Sequence, residues 1–183
     1  MVLIIAVLLE GYKKIRVQSL PTRAPEVWQG LGCWHSSDVW SLGVTVSSSL
    51  SVTISANPEV GTLVISVYYF GAKDKVVQGL TEAWCIAKIR RLSGPLDPPA
   101  NPDYEDVFLV AEHLESTTYE RPDTKLETQF IKVGTLRHEL ERLPGPKVSP
   151  ELLDFIEYTV VVGHTRRPTA LEALQHPYLE SLS

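Results

Sequence analysis

Few residues of this chain could bind a metal or act as a nucleophile. Cys33 and His35 lie two positions apart and could supply two metal ligands, but a lone pair without partners is more often structural. The only cysteines are Cys33 and Cys85 and no Cys-x-x-Cys motif occurs, which favours neither a zinc site nor a disulfide framework. None of the five histidines stands beside a serine or cysteine together with an acidic residue, as a hydrolase triad requires. The sequence therefore predicts no catalytic residue and no metal ligand.

An acidic stretch runs from Asp97 to Glu120 and contains seven carboxylates but neither lysine nor arginine. It has two interpretations, which the sequence leaves open. The stretch is either the solvated face of a helix or a docking surface that attracts an arginine-rich protein segment by charge complementarity. For a docking surface, the candidate residues are Asp103, Glu105, Asp106 and Glu112.

Composition argues against other classes of partner. A net charge of −5 and a pI near 5.5 do not suit a general binder of nucleic acid or anionic membranes. The apolar run Val2–Leu9 is shorter than the roughly 20 residues of a membrane span. The basic residues Lys13 and Lys14 follow this run, whereas those of a secretory signal precede it. We expect a buried strand there, no membrane span, and an intracellular protein, either cytoplasmic or nuclear.

The stretch Ser36–Val46 has the pattern of a buried helix. Ser36 or Ser37 could cap its first turn, and Asp38 would favour the positive helix end. An apolar stripe at helical spacing follows, comprising Val39, Leu42, Gly43 and Val46. Other helices are predicted from caps and periodicity. Thr81 would cap one that ends before Gly94, Ser149 would cap another, and Thr169 forms a capping box with Glu172. The predicted helices lie near Glu26 and at Asp38–Val46, Glu82–Leu92, Tyr104–Leu114, Pro150–Val160 and Ala170–Gln175.

Three short motifs together resemble the large C-terminal lobe of eukaryotic protein kinases. They are Ala24-Pro25-Glu26, the sequence Asp38-x-Trp40-Ser-x-Gly43, and Arg167-Pro-Thr near the end of the chain. The resemblance implies a mainly α, protein-kinase-like C-terminal lobe, that is, an incomplete kinase fold. It implies a partial kinase domain over residues 18–182, preceded by an apolar segment of unclear role at residues 1–17.

The resemblance also assigns roles to individual residues. Leu20, Pro21, Thr22 and Arg23 would form the wall against which the substrate residue after the phosphorylated one rests. Glu26 and Arg167 would form a buried ion pair that braces the fold. An arginine directly before Ala-Pro-Glu is typical of the CMGC branch, and the turn Leu92–Pro99 is most similar to that of SR-protein-type serine/threonine kinases. Gly163 departs from the family pattern, because an aspartate is usual there.

The motifs that perform phosphoryl transfer are absent from this sequence. Kinases use a Gly-rich loop, a strand lysine, His-Arg-Asp-x-x-x-x-Asn and Asp-Phe-Gly to position Mg-ATP, and the resemblance implies that the chain begins inside the activation segment. ATP and Mg²⁺ belong to the intact family domain, and we expect no cofactor in this chain. The chain is then a truncated kinase or pseudokinase, a non-catalytic docking module for arginine-rich segments, or a non-functional remnant.

Residues 47–70 fit the family least. Leu50, Val52 and Ile54 alternate with polar residues, as in a strand, and Thr62–Phe70 is a second strand-like run. In the family the central helix would continue past Val46. The segment is therefore either a β-hairpin insertion or foreign sequence, such as an unspliced intron.

Overall fold

The computed structural model describes residues 17–52, 69–144 and 146–182, and these residues form a mainly helical fold. Short 3₁₀ turns occur at Leu20–Thr22 and Pro102–Tyr104. The helices are α1 (Pro25–Trp28), α2 (His35–Val52), α3 (Thr81–Ser93), α4 (Glu105–Ser116), α5 (Leu136–Glu141), α6 (Pro150–Thr159), α7 (Ala170–Leu174) and α8 (Pro177–Glu180). Strands β1 (Thr118–Glu120) and β2 (Glu127–Gln129) pair in antiparallel register, with Tyr119 opposite Thr128. Within the described ranges, no helix combines the length and hydropathy needed to cross a bilayer.

Most helix ends lie where capping chemistry predicts them. The hydroxyl of Ser149 accepts a hydrogen bond from the backbone N–H of Leu152 and starts α6. Thr169 and Glu172 form the predicted capping box of α7. The prediction for Thr81 is wrong, because Thr81 is the first residue of α3 and makes no side-chain cap. The final helix α8 is not among the predicted helices, the last of which ends at Gln175.

The central helix α2 begins one residue earlier than its predicted caps. It starts at His35, so Ser36 and Ser37 lie within its first turn and do not precede it. Ser37 accepts a hydrogen bond from the backbone N–H of Trp34 over 3.0 Å. A hydroxyl in the first turn therefore satisfies a group that lies just outside the helix.

The buried face of α2 also differs from the predicted stripe. Leu42 is 46% exposed, whereas Ser36, Trp40 and Ser47 are buried. A serine can be buried in a helix when its hydroxyl bonds a carbonyl one turn earlier, and Ser47 donates to the carbonyl of Val44 over 2.9 Å. The prediction is therefore wrong for Leu42 alone, since Val39 and Gly43 are buried and Val46 packs against the core.

The strand predicted from Leu50 onward is wrong over its described part, because α2 continues to Val52. Hydroxyl side chains along this helix bond to its own backbone, since Thr45 donates to the carbonyl of Ser41 and Ser48 donates to that of Val44. Residues 53–68, which include most of the second strand-like run, lie outside the described residues, as does the N-terminal run 2–9. The end of that second run is described. Tyr69 and Phe70 lie in a bend and are buried in the core.

The core forms where α3 packs along α4 and α2 packs along α6. Trp40 of α2 contacts Phe70 edge-to-face at 5.6 Å between ring centroids, and Trp84 of α3 contacts Phe130 in the same way at 6.2 Å. Helix α6 approaches α2 closely at Gly43. A methyl group added to Gly43 would lie 2.2 Å from Oγ1 of Thr159, so only glycine fits between the helices.

Candidate functional site

The predicted substrate wall is an ordered turn at the surface of α2. Leu20, Pro21 and Thr22 are half-buried, and Arg23 is buried. Arg23 donates hydrogen bonds to the carbonyls of Val17 and Gln18 over 3.1 and 3.3 Å. Its guanidinium also lies 4.4 Å from the ring centroid of Trp28, and it reaches Glu82 at 3.6 Å. The structure thus places these four residues together. Arg23 stabilises the turn from its buried side, through its hydrogen bonds and its contact with the ring of Trp28.

Gln18 and Ser41 fasten this turn to the central helix, and sequence reasoning missed both. The Gln18 amide donates to the carbonyl of Ser37 over 3.1 Å and to the hydroxyl of Ser41 over 2.9 Å, while its oxygen accepts the N–H of Ala24. Ser41 in turn donates to the carbonyl of Thr22 over 3.0 Å. Gln18 has a φ of 71°, an uncommon conformation for a non-glycine residue. This conformation is visible only in the structure, so no signal in the sequence indicated Gln18.

Glu26 and Arg167 form the predicted buried ion pair. Two parallel hydrogen bonds join the guanidinium to the carboxylate, over 2.8 and 2.9 Å, and both side chains are 0% exposed. This bidentate arrangement is the strong form of an arginine–carboxylate contact. The pair therefore connects α1 to the loop before α7, which lies near the other end of the chain.

The groups around the pair satisfy its remaining hydrogen-bonding capacity. Arg167 also donates to the carbonyls of Ser36, Val161 and Val162 over 2.8, 2.8 and 3.3 Å, so all five of its N–H donors are used. Ser37 donates to the carboxylate of Glu26 over 2.5 Å. A buried polar network whose members are all satisfied makes the surrounding structure rigid.

The three predicted motif residues of α2 have distinct surroundings. Trp40 is fully buried, and the guanidinium carbon of Arg167 lies 5.2 Å from its ring centroid. Gly43 faces α6, as described above. Asp38 is half-buried, and one of its oxygens has no hydrogen-bond partner among the described residues. The pKa of Asp38 is raised, because the effect of burial is larger than the opposing effect of nearby His35.

The candidate docking residues form an exposed acidic face on α4 and the turn before it. None of Asp103, Glu105, Asp106 and Glu112 forms an ion pair within the part of the chain that the structure describes. Leu109, one turn after Glu105 and 64% exposed, lies between Glu105 and Glu112 along the helix surface. The face therefore combines free carboxylates with one exposed apolar side chain.

This acidic face is connected to the motif region through α1. Gln29 donates from its side chain to the carbonyl of Asp97, and its own carbonyl accepts the N–H of Ala100 over 2.8 Å. Gly30, with a φ of 75°, rests against the turn that follows, and a methyl group there would lie 2.9 Å from atoms of Asn101 and Tyr104. The turn that carries Asp103 thus sits on the end of α1.

No group of three or more metal-ligating side chains comes together in the described ranges. Cys33 and Cys85 are buried and not joined by a disulfide. Burial raises the pKa of Cys33 and raises that of Cys85 to about 11, so both thiols are protonated at neutral pH.

Comparisons with known proteins bear on the fold alone. No protein-family model matches the chain, and no curated protein matches it. Among solved structures, the chain is similar to a crystal structure of a Plasmodium kinase domain, with a TM-score of 0.51 and 17% sequence identity. The similarity covers 93% of this chain and 43% of that one, so the chain spans less than half of the domain it matches. The chain therefore has a mainly helical fold that resembles a fragment of a kinase domain.

Proposed function

We propose that this chain is a fragment of a serine/threonine protein kinase domain of the SR-protein type, whose family phosphorylates protein serines and threonines with ATP. The observation that carries this proposal is the bidentate Glu26–Arg167 pair. It joins two motifs of the resemblance that lie 141 residues apart in sequence. The kinase-like fold supports the assignment, and the position of Arg23 directly before Ala24 supports the branch. In this assignment, the turn at Leu20–Arg23 positions a protein substrate.

Sequencing the transcript upstream of Met1 and across codons 47–70 tests this proposal. We expect the His-Arg-Asp and Asp-Phe-Gly motifs in frame upstream, because the wall has a role only beside a phosphoryl-transfer centre. A stop codon directly upstream, with no kinase motif in any frame before it, would contradict the assignment.

The purified chain itself is expected neither to hydrolyse ATP nor to phosphorylate an Arg-Ser peptide. Phosphoryl transfer depends on positioned phosphates and metal-assisted charge stabilisation, and this sequence contains none of the motifs that supply them. Transfer of radiolabelled phosphate measures the activity, with an active SR-type kinase as the positive control. Stoichiometric binding of ATP in Mg²⁺ that is lost on chelation would show the expectation to be wrong.

A second function, docking of arginine-rich protein segments, is favoured by the acidic face. Its four carboxylates are exposed and unpaired, as an electrostatic docking surface requires. Leu109 adds an apolar contact between Glu105 and Glu112. This function needs no nucleotide and would operate in the chain as it stands.

For docking, an arginine-rich peptide is expected to bind weakly and with strong salt dependence. Exposed charges are screened over about 8–10 Å at physiological ionic strength, so affinity should fall steeply between low and moderate salt. Converting Asp103, Glu105, Asp106 and Glu112 to their amides should remove most of the affinity and leave the fold intact, since exposed charges contribute little to stability. Fluorescence anisotropy at two salt concentrations measures both effects.

A charge-matched pair of variants separates local docking from general attraction. Glu105→Gln/Glu112→Gln should weaken binding severalfold. Glu141→Gln/Glu151→Gln changes the net charge equally at exposed positions on α5 and α6, and it should not weaken binding. Equal affinities of the two double variants would exclude this face as the docking surface.

A further inference from the structure

A pocket of about 300 Å³ lies between the C-terminal end of α3 and helix α5. Its lining includes the basic residues Arg91, Lys132, His138 and Arg142 and a single carboxylate, that of Glu139. The volume is at the lower end of the range found for small-ligand sites. None of these residues belongs to the substrate wall or to the acidic face, so the pocket is a separate feature of the surface.

The cations of this pocket are not neutralised by the protein. Arg91, Lys132 and Arg142 form no ion pair with a carboxylate anywhere in the described ranges. Arg91 donates from Nη2 to the side-chain oxygen of Gln129, but its Nε is buried without a hydrogen-bond partner. A buried donor left without a partner is costly to the folded protein.

Two contacts within the pocket orient some of its other side chains. Nη1 of Arg142 lies 3.3 Å from Nε2 of His138. Glu139 accepts the backbone N–H of Gly134 over 2.7 Å, which holds its carboxylate against the loop. The pocket thus has three permanent positive charges and one negative charge that is fixed in place.

Arg91 and Arg142 form no ion pair, unlike most other arginines that the structure describes. Five of them are paired with carboxylates, namely Arg23, Arg90, Arg121, Arg137 and Arg167. In a chain with a net charge of −5, carboxylates are plentiful, yet only that of Glu139 lines this pocket, against three permanent positive charges. Like charges held close together repel, and an anion placed among them removes that repulsion.

We propose that this pocket binds the phosphate group of a phosphorylated serine or threonine in a segment of a partner protein. Guanidinium groups bind phosphate through paired, charge-assisted hydrogen bonds, and Arg91 and Arg142 both line the pocket. A phosphorylated side chain carries close to two negative charges at neutral pH, enough to offset the excess cations. The site is open at the surface, so a side chain on an extended peptide can reach it. Inorganic phosphate shares this chemistry and is distinguished by the experiment.

Fluorescence anisotropy with the full chain and a labelled peptide tests the site. The peptide carries one phosphoserine among neutral residues, and its unphosphorylated form is the reference. The phosphopeptide is expected to bind and the reference is not. Arg91→Gln and Arg142→Gln should each weaken binding about tenfold or more, as expected for the loss of hydrogen bonds to a charged group. Arg121→Gln, which removes an equal charge from an exposed ion pair outside the pocket, should have no effect.

Glu139→Gln is expected to increase the affinity for the phosphopeptide, whereas misfolding would decrease it. The amide oxygen can still accept the N–H of Gly134, while the repulsion between carboxylate and phosphate is gone, so affinity should rise severalfold. Equal binding of both peptides, or equal affinities of the Arg91, Arg142 and Arg121 variants, would overturn the proposal. Binding of inorganic phosphate without binding of the phosphopeptide would also overturn it, because the site would then hold only a small free anion.

Discussion

Replacing Arg167 by methionine is expected to lower the free energy of unfolding by about 3–5 kcal/mol. The loss arises because Glu26, which is 0% exposed, would keep a buried carboxylate without its cation. The carbonyls of Ser36 and Val161 would lose their donor as well. Urea unfolding followed by the fluorescence of the four tryptophans measures the change.

Arg137→Met is the matched control for this variant. Arg137 also pairs with two carboxylates, Asp154 and Glu157, but its side chain is 36% exposed, so its loss should cost no more than about 1 kcal/mol. The double variant Glu26→Leu/Arg167→Met removes both charges and should be more stable than either single variant. If Arg167→Met destabilised the chain no more than Arg137→Met, the pair would not brace the fold.

Gly43→Ala is expected to destabilise the chain by about 1–3 kcal/mol through overpacking. The added methyl group would lie 2.2 Å from Oγ1 of Thr159 and 2.8 Å from Cγ1 of Val160. Helix propensity alone would give the opposite sign, since alanine is more favourable than glycine by about 1 kcal/mol within a helix. The direction of the measured change therefore decides whether α2 and α6 are in close contact.

Thr159→Ala provides the rescue for this variant, because it removes the oxygen that the new methyl group would meet. In that background, Gly43→Ala should cost markedly less than it does in the original chain, a coupling that a double-mutant cycle measures. Thr45→Ala, at an exposed position of the same helix, controls for general effects of alanine. An unchanged cost of Gly43→Ala in the two backgrounds would show that the helices are not in contact there.

The elements that sequence reasoning predicted well are those set by local chemistry. Ser149 and Thr169 start helices because their hydroxyls bond backbone N–H groups only a few residues away. Gly94, with a φ of 108°, ends α3 because glycine tolerates that conformation. The Glu26–Arg167 pair was predicted as well, but only through the family resemblance, since no spacing rule joins residues so far apart.

The errors arose where tertiary contacts override local preference. The serines of α2 look like surface or strand residues, yet Ser47 is buried because α2 is surrounded by other elements and its hydroxyl is satisfied within the helix. Leu42 looked like a core residue and is exposed. Gln18 fastens the wall through contacts at distances of 19 and 23 residues, which no local pattern encodes.

The Glu26–Arg167 pair also bears on the order in which parts of the chain can fold during synthesis. The two residues are separated by 141 positions, and ribosomes add about 5–20 residues per second, so Arg167 is synthesised roughly 7–28 s after Glu26. During that interval the carboxylate has no cation to accompany it into the interior, and it remains hydrated. We therefore expect helix α1 to reach its final buried position only after Arg167 has been synthesised. Closure of the loop between Glu26 and Arg167 is therefore expected late in folding.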